Sequence, residues 1–207
     1  LFSYFQGDWS QTYIKASNTE ANDEFGSAVA LSADGNTLAV SAPGEDNAYG
    51  TDGAANNNSA EDSGAVYLFT RDAGNWSQQA YLKASNAKGG DLFGYSLALS
   101  DDGNTLAVAA KDESSSATGI NGDQTDTSAG LSGAAYLFSR SGTTWSQQAY
   151  IKAPNAEADD AFGYSMALDG GGNTLVIGAE NETSNATGIN GDQTDNSASY
   201  SGAVYLY

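Results

Sequence analysis

The sequence predicts an all-β chain built from β-propeller blades, and three observations lead there. The first is repetition. Phe25-Gly26, Phe93-Gly94 and Phe162-Gly163 recur at spacings of 68 and 69 residues, and Gly-Asn-Thr-Leu (from Gly35, Gly103 and Gly172), Ser-Gly-Ala (Ser63, Ser132 and Ser201) and Trp-Ser-Gln (Trp9, Trp76 and Trp145) recur with them. A period this regular marks stacked or radial supersecondary units. The second is alternation: Phe93, Tyr95, Leu97 and Leu99 alternate with Gly94, Ser96, Ala98 and Ser100, the two-residue period of a strand. The third is that the small side of these strands carries Gly, Ala, Ser and Thr rather than charges, as if another sheet packs closely there. Four-stranded antiparallel sheets covered on both faces and repeated at fixed period describe a propeller. A β-solenoid is the alternative, but its coils are shorter and lack such hairpins.

Taken in order, residues 1–24 read as the outer strand of a preceding or shared blade, with the tail of a third strand at Leu1-Phe2 and a fourth strand over Trp9–Ser17. Repeat 1 spans 25–92, repeat 2 spans 93–161, and repeat 3 spans 162–207. In repeat 2, Phe93–Ser100 is the first strand. Asp102-Gly103 turns the chain, because glycine accepts the positive φ of tight hairpins, and Thr105–Ala109 returns. A polar loop over 111–131 leads to a third strand at Ala134–Phe138. A fourth, Trp145–Ala153, carries Ser146, Gln147, Gln148 and Lys152 and is expected outermost. Repeat 3 stops at Tyr207 within its third strand, so its blade is expected to be completed by the N-terminal strand or by another chain. Three blades are too few to close a ring. The reading therefore leaves a longer parent array, a six-bladed ring of two chains, and a head-to-tail filament as expectations. The start without Met reads as a mature or excised piece.

Composition removes several classes of function. With no His and no Cys, the usual general bases, thiol nucleophiles, disulfides and zinc ligands are missing. No paired-acid arrangement, phosphate loop or nucleophile elbow appears, so the chain is expected not to be an enzyme. A net charge of −19 with seven Lys and Arg argues against nucleic acid. No run of 18 apolar residues is long enough to cross a membrane as a helix.

The loops between second and third strands gather acids and amides at matching positions: Glu113, Asn121, Asp123 and Asp126 in repeat 2, and Glu182, Asn190, Asp192 and Asp195 in repeat 3. Repeat 1 offers Glu45, Asp52 and Asn57. Calcium takes six to eight oxygens from such groups, so these are candidate calcium loops; ordinary Asx-turns are the structural alternative. Lys15, Lys83 and Lys152 recur in Tyr-(Ile/Leu)-Lys-Ala and are expected to blunt the outer edge. Tyr67, Tyr136 and Tyr205 are expected between blades rather than on a sugar-binding platform. Acceptor motifs for N-glycosylation occur at Asn57, Asn75, Asn181 and Asn185.

Phe-Gly, the Asp-Gly-Asn-Thr-Leu-Ala-Val turn and strand, Ser41-Ala-Pro-Gly-Glu-Asp46 and Ser63-Gly-Ala-Val-Tyr-Leu-Phe69 together resemble FG-GAP repeats, the blades of the integrin α-subunit head and of many bacterial secreted proteins. The resemblance covers essentially the whole chain. It implies a propeller, a secreted or cell-surface location, an adhesive or scaffolding role with a protein or glycan partner or with further copies, and frequent calcium binding. Integrin-type calcium loops read Asp-x-Asp-x-Asp-Gly-x-x-Asp after the first strand, where this chain has only the tight Ser32–Thr37 turn.

Overall fold

The computed structural model describes residues 2–5, 8–47 and 58–207, and every regular element among them is a strand. A short hairpin comes first, β1 (Phe2–Phe5) with β2 (Asp8–Gln11). Blade 1 is β3 (Val29–Leu31), β4 (Thr37–Ala42), β5 (Ala65–Asp72) and β6 (Asn75–Leu82). Blade 2 is β7 (Phe93–Leu99), β8 (Thr105–Ala110), β9 (Ala134–Ser141) and β10 (Thr144–Ile151). Blade 3 has three strands, β11 (Phe162–Leu168), β12 (Leu175–Ala179) and β13 (Ala203–Leu206). Within each blade the strands pair antiparallel in chain order, which places β6 and β10 at an edge, as their polar sequences predict.

The core lies in the seams between blades. Along β8 and β9 the residues alternate faces, so Leu106, Val108, Tyr136 and Phe138 turn toward blade 1 and pack with Val66, Leu68 and Leu82. Their neighbours Ala107 and Ala135 turn the other way and meet Phe162, Leu175 and Ile177 of blade 3. Blade 2 therefore offers its large residues Leu106, Val108, Tyr136 and Phe138 to blade 1 and its small residues Ala107 and Ala135 to blade 3, which accounts for the small positions on these strands. The Ser-Gly-Ala glycine permits the close approach: a Cβ on Gly133 would stand 2.1 Å from the Phe162 carbonyl oxygen. Backbone bonds close the same seam, from the Ala161 amide to the Leu131 carbonyl (3.0 Å) and from the Phe162 amide to the Ser132 carbonyl (3.0 Å). Tyr67, Tyr136 and Tyr205 are buried at 0%, 0% and 8% exposure, as expected of residues between blades.

Two strands differ from the sequence reading. The N-terminal fourth strand, expected over Trp9–Ser17, is a strand over Asp8–Gln11, where its ladder with β1 runs from Phe2↔Gln11 to Phe5↔Asp8. This segment pairs with β1 and not with β13, so it does not complete blade 3 of its own chain. In repeat 1 the first strand is three residues long, whereas β7 and β11 have seven and begin at their Phe. The front of blade 1 is covered among the described residues by Ile14, Ala16 and Phe25, and no sheet there stands opposite Val29 and Leu31, which are exposed.

Candidate functional site: a buried acid at each blade seam

Each blade buries one glutamate at the start of its long loop: Glu45, Glu113 and Glu182, at 3%, 1% and 3% exposure. In blade 2, Glu113 Oε2 meets Lys152 Nζ at 2.9 Å, and Lys152 Nζ also donates to Ser132 Oγ at 2.7 Å. The Ser115 amide donates to the same carboxylate oxygen at 3.1 Å. The other oxygen accepts Asn86 Nδ2, from the tail of blade 1, at 3.1 Å, and the Asn86 side-chain oxygen accepts the Tyr136 hydroxyl at 2.7 Å. Blade 1 repeats the arrangement: Glu45 takes Lys83 Nζ (3.2 Å), the Tyr81 hydroxyl (2.6 Å) and Asn18 Nδ2 (2.8 Å), with Tyr67 donating to Asn18.

Strand period and chain order explain why these groups meet. In Tyr150-Ile-Lys-Ala153, Tyr150 and Lys152 share one face and Ile151 and Ala153 the other. The first face turns into its own blade and the second packs onto the next, with Phe162 and Ile177. Three residues after each lysine comes an asparagine that has already crossed to the following blade. The lysine thus belongs to the glutamate of its own blade and the asparagine to the glutamate of the next. Burial pushes the Lys83 and Lys152 ammonium groups down, opposed by the adjacent carboxylates.

Blade 3 has half of this set. Glu182 accepts Asn155 Nδ2 at 3.0 Å and the Ser184 amide at 3.1 Å, and Tyr205 donates to Asn155 at 2.7 Å. Among the described residues no lysine or arginine pairs with it. A cleft of about 680 Å³ lies where the fourth strand stands in blades 1 and 2, lined by Glu182, Gly188, Asn190 and the outer side of β13.

A family model described as FG-GAP repeat matches residues 9–69, 76–138 and 145–207. The chain belongs to the FG-GAP repeat family. No curated protein matches it. The FG-GAP match begins each time at the Trp that opens a fourth strand and ends in the third strand of the following blade. One FG-GAP unit therefore carries the lysine of one blade together with the asparagine, glutamate and serine of the next. The family is a non-catalytic repeat family, and in blades 1 and 2 the buried glutamates are closed into ion pairs with Lys83 and Lys152.

The expected calcium loops separate in space. Glu45, Glu113 and Glu182 turn inward, while Asp123 and Asp192 are exposed and Asp126 and Asp195 half-buried. Asp123 Oδ1 accepts the Thr125 amide and hydroxyl, and Asp192 does the same with Thr194. Asp126 accepts the Ser116 and Ser128 amides and hydroxyls, holding its carboxyl well below the usual range, and Asp195 accepts from Ser197. Asn121 bonds the backbone of Tyr150, and Asn190 lies exposed on the cleft. Asp52 and Asn57 lie outside the described residues. Among the described residues no group of three acids converges on one point, and Asp123, Asp126, Asp192 and Asp195 cap their own turns in the manner of Asx-turns.

The lysines require a correction. Lys83 and Lys152, expected as solvated edge charges, are buried at 6% and 0% exposure, because they lie past the strand ends under the long loops and opposite a glutamate. The sequence reading also missed Asn18, Asn86 and Asn155 and the seam serines Ser63, Ser132 and Ser201. Their signal was present in Lys-Ala-(Ser/Pro)-Asn, which recurs three times at fixed distance from each Glu.

Proposed function

We propose that this FG-GAP chain is a non-enzymatic scaffold module, secreted or held at a cell surface, whose role is to join its blades to further blades, including those of its own copies. One observation carries the reading. Among the described residues, positions that are covered at the internal seams are open at both ends of the three-blade stack. Val29 and Leu31 are 63% and 48% exposed at the front, and Val204 and Leu206 are 64% and 70% exposed at the back. At the first internal seam their counterparts Leu97, Leu99, Val66 and Leu68 pack together. Exposed apolar faces on a β-sheet are interaction surfaces by default. Location outside the cell rests on the family resemblance.

Adhesion to a glycan or a protein through the rim loops is the competing role. The loop aspartates cap their own turns, Asp123 and Asp192 through Oδ1 and Asp126 through both oxygens, which favours the scaffold. Sedimentation velocity over a range of concentrations tests it: growth beyond the 21.2 kDa monomer is expected, and a single monomeric species throughout overturns it.

A further inference from the structure

We propose that Lys152 and Asn86 join in an isopeptide bond, and Lys83 and Asn18 in a second, each made by the chain itself with the buried glutamate between them as proton carrier. The inference goes beyond the scaffold reading and does not depend on it. Such a bond needs an amine, a primary amide and a carboxylate that touches both. Glu113 Oε2 holds Lys152 Nζ at 2.9 Å, and Glu113 Oε1 holds Asn86 Nδ2 at 3.1 Å. Glu45 bridges Lys83 Nζ (3.2 Å) and Asn18 Nδ2 (2.8 Å) in the same way. A tyrosine hydroxyl completes each set: Tyr136 donates to Asn86 Oδ1 and Tyr67 to Asn18 Oδ1, both at 2.7 Å. That oxygen takes up negative charge when the amide is attacked, and a donor already fixed there stabilises it.

The surroundings suit the reaction. Lys152, Glu113 and Tyr136 are buried, as are Lys83, Glu45 and Tyr67, so competing water is kept away. Burial also pushes both ammonium groups down, which favours the neutral amine that acts as nucleophile. Ser132 Oγ and Ser63 Oγ each accept from the lysine nitrogen at 2.7 Å and tether it beside its glutamate.

In blade 2 the step runs as follows. Glu113 takes one proton from the Lys152 ammonium through Oε2. The freed electron pair of Nζ attacks Asn86 Cγ on the other side of the same carboxyl group, and the carbonyl pair moves onto Oδ1 against the Tyr136 hydroxyl. Glu113 hands its proton to Nδ2, the carbonyl re-forms and the Cγ–Nδ2 bond breaks. The departing ammonia carries off a second proton from Nζ as ammonium ion, and Glu113 is again a carboxylate. All four strands of blade 2 lie between Asn86 and Lys152, and all four of blade 1 between Asn18 and Lys83. Each bond would therefore clasp one blade shut and carry tension past it.

Mass spectrometry of the denatured wild-type chain tests the proposal. Its intact mass is expected two ammonia molecules below that of its sequence, and proteolytic digests are expected to hold peptides linking Asn86 to Lys152 and Asn18 to Lys83. Glu113→Gln keeps an acceptor oxygen but cannot carry the proton, so it is expected to lose the first link and keep the second. Melting curves check that this variant is folded; should it not fold, the wild-type digest decides alone. A wild-type mass equal to that of the sequence overturns the proposal. Loss of ammonia without linked peptides overturns it too, because a succinimide at Asn121-Gly122 or Asn190-Gly191 gives the same intact mass. An undiminished first link in folded Glu113→Gln overturns the role of the glutamate.

Discussion

At the scale of single residues, the most consequential groups for pH are aspartates that no motif marks out. Asp91 is 3% exposed with one oxygen on the Lys88 amide at 2.9 Å, and burial pushes its carboxyl up to about 7; Asp160, in the same position of the next repeat, is pushed to about 6. An acid whose folded value exceeds its unfolded value binds its proton more tightly when folded. Its contribution is complete below about pH 4 and is lost as pH rises through the folded value. The turn aspartates Asp34, Asp102 and Asp169 act oppositely. Hydroxyls and amides of their own turns hold them low, so their contribution is lost only as pH falls below about 4. Stability is accordingly expected to decline from pH 4 to pH 7. Asp91→Asn keeps the bond to the Lys88 amide without the charge, and should flatten this decline by an amount on the order of a few kcal/mol. Thermal midpoints of both proteins across that range measure it, and parallel curves would show that Asp91 does not titrate there.

At the scale of the element, the strands of repeat 2 were legible because period two, Asp-Gly turns and apolar runs are local signals; β7, β8, β9 and β10 fall where these place them. The shortening of β2 and β3 was not legible, since the same local sequence forms a longer strand wherever a neighbouring strand or blade supports it. The inward lysines were hidden for a related reason. Period two separates two faces but does not say which one meets a loop glutamate 39 residues away, as Lys152 meets Glu113. Context can be measured with matched glycines. Gly26 and Gly94 have similar φ, 103° and 98°, so alanine strains both backbones alike. A Cβ on Gly94 would meet Ser41 Cβ at 2.9 Å and the Ala65 carbonyl oxygen at 3.0 Å, whereas one on Gly26 meets nothing within 4 Å. Gly94→Ala is therefore expected to cost about 1–3 kcal/mol more than Gly26→Ala in urea melts, the overpacking share of the loss. Equal losses would mean that the seam yields freely.

For the molecule as a whole, copies joined through the front of blade 1 and the back of blade 3, as the proposed scaffold role allows, would make a heterologous contact. Such a contact closes into a ring if the rotation per copy allows and otherwise runs on as a filament. Six blades from two copies fall within the usual ring sizes. Charge acts against either assembly, since each copy carries −19. Screening weakens repulsion between exposed acids and leaves the burial of apolar faces such as Val29, Leu31, Val204 and Leu206 largely untouched. Association is thus expected to tighten as salt rises from low to physiological ionic strength, read by sedimentation in a salt series; loosening instead would point to attraction between exposed charges.

The offset between family unit and blade has a consequence for how such chains change length. Each unit begins in one blade and ends in the next, so every unit carries half of two seams. Tandem duplication, or in-frame loss of residues 76–144, would rejoin a third strand to a fourth strand of the same kind and alter the number of blades by one. Recombination can therefore lengthen or trim the array one blade at a time without having to evolve a new joint.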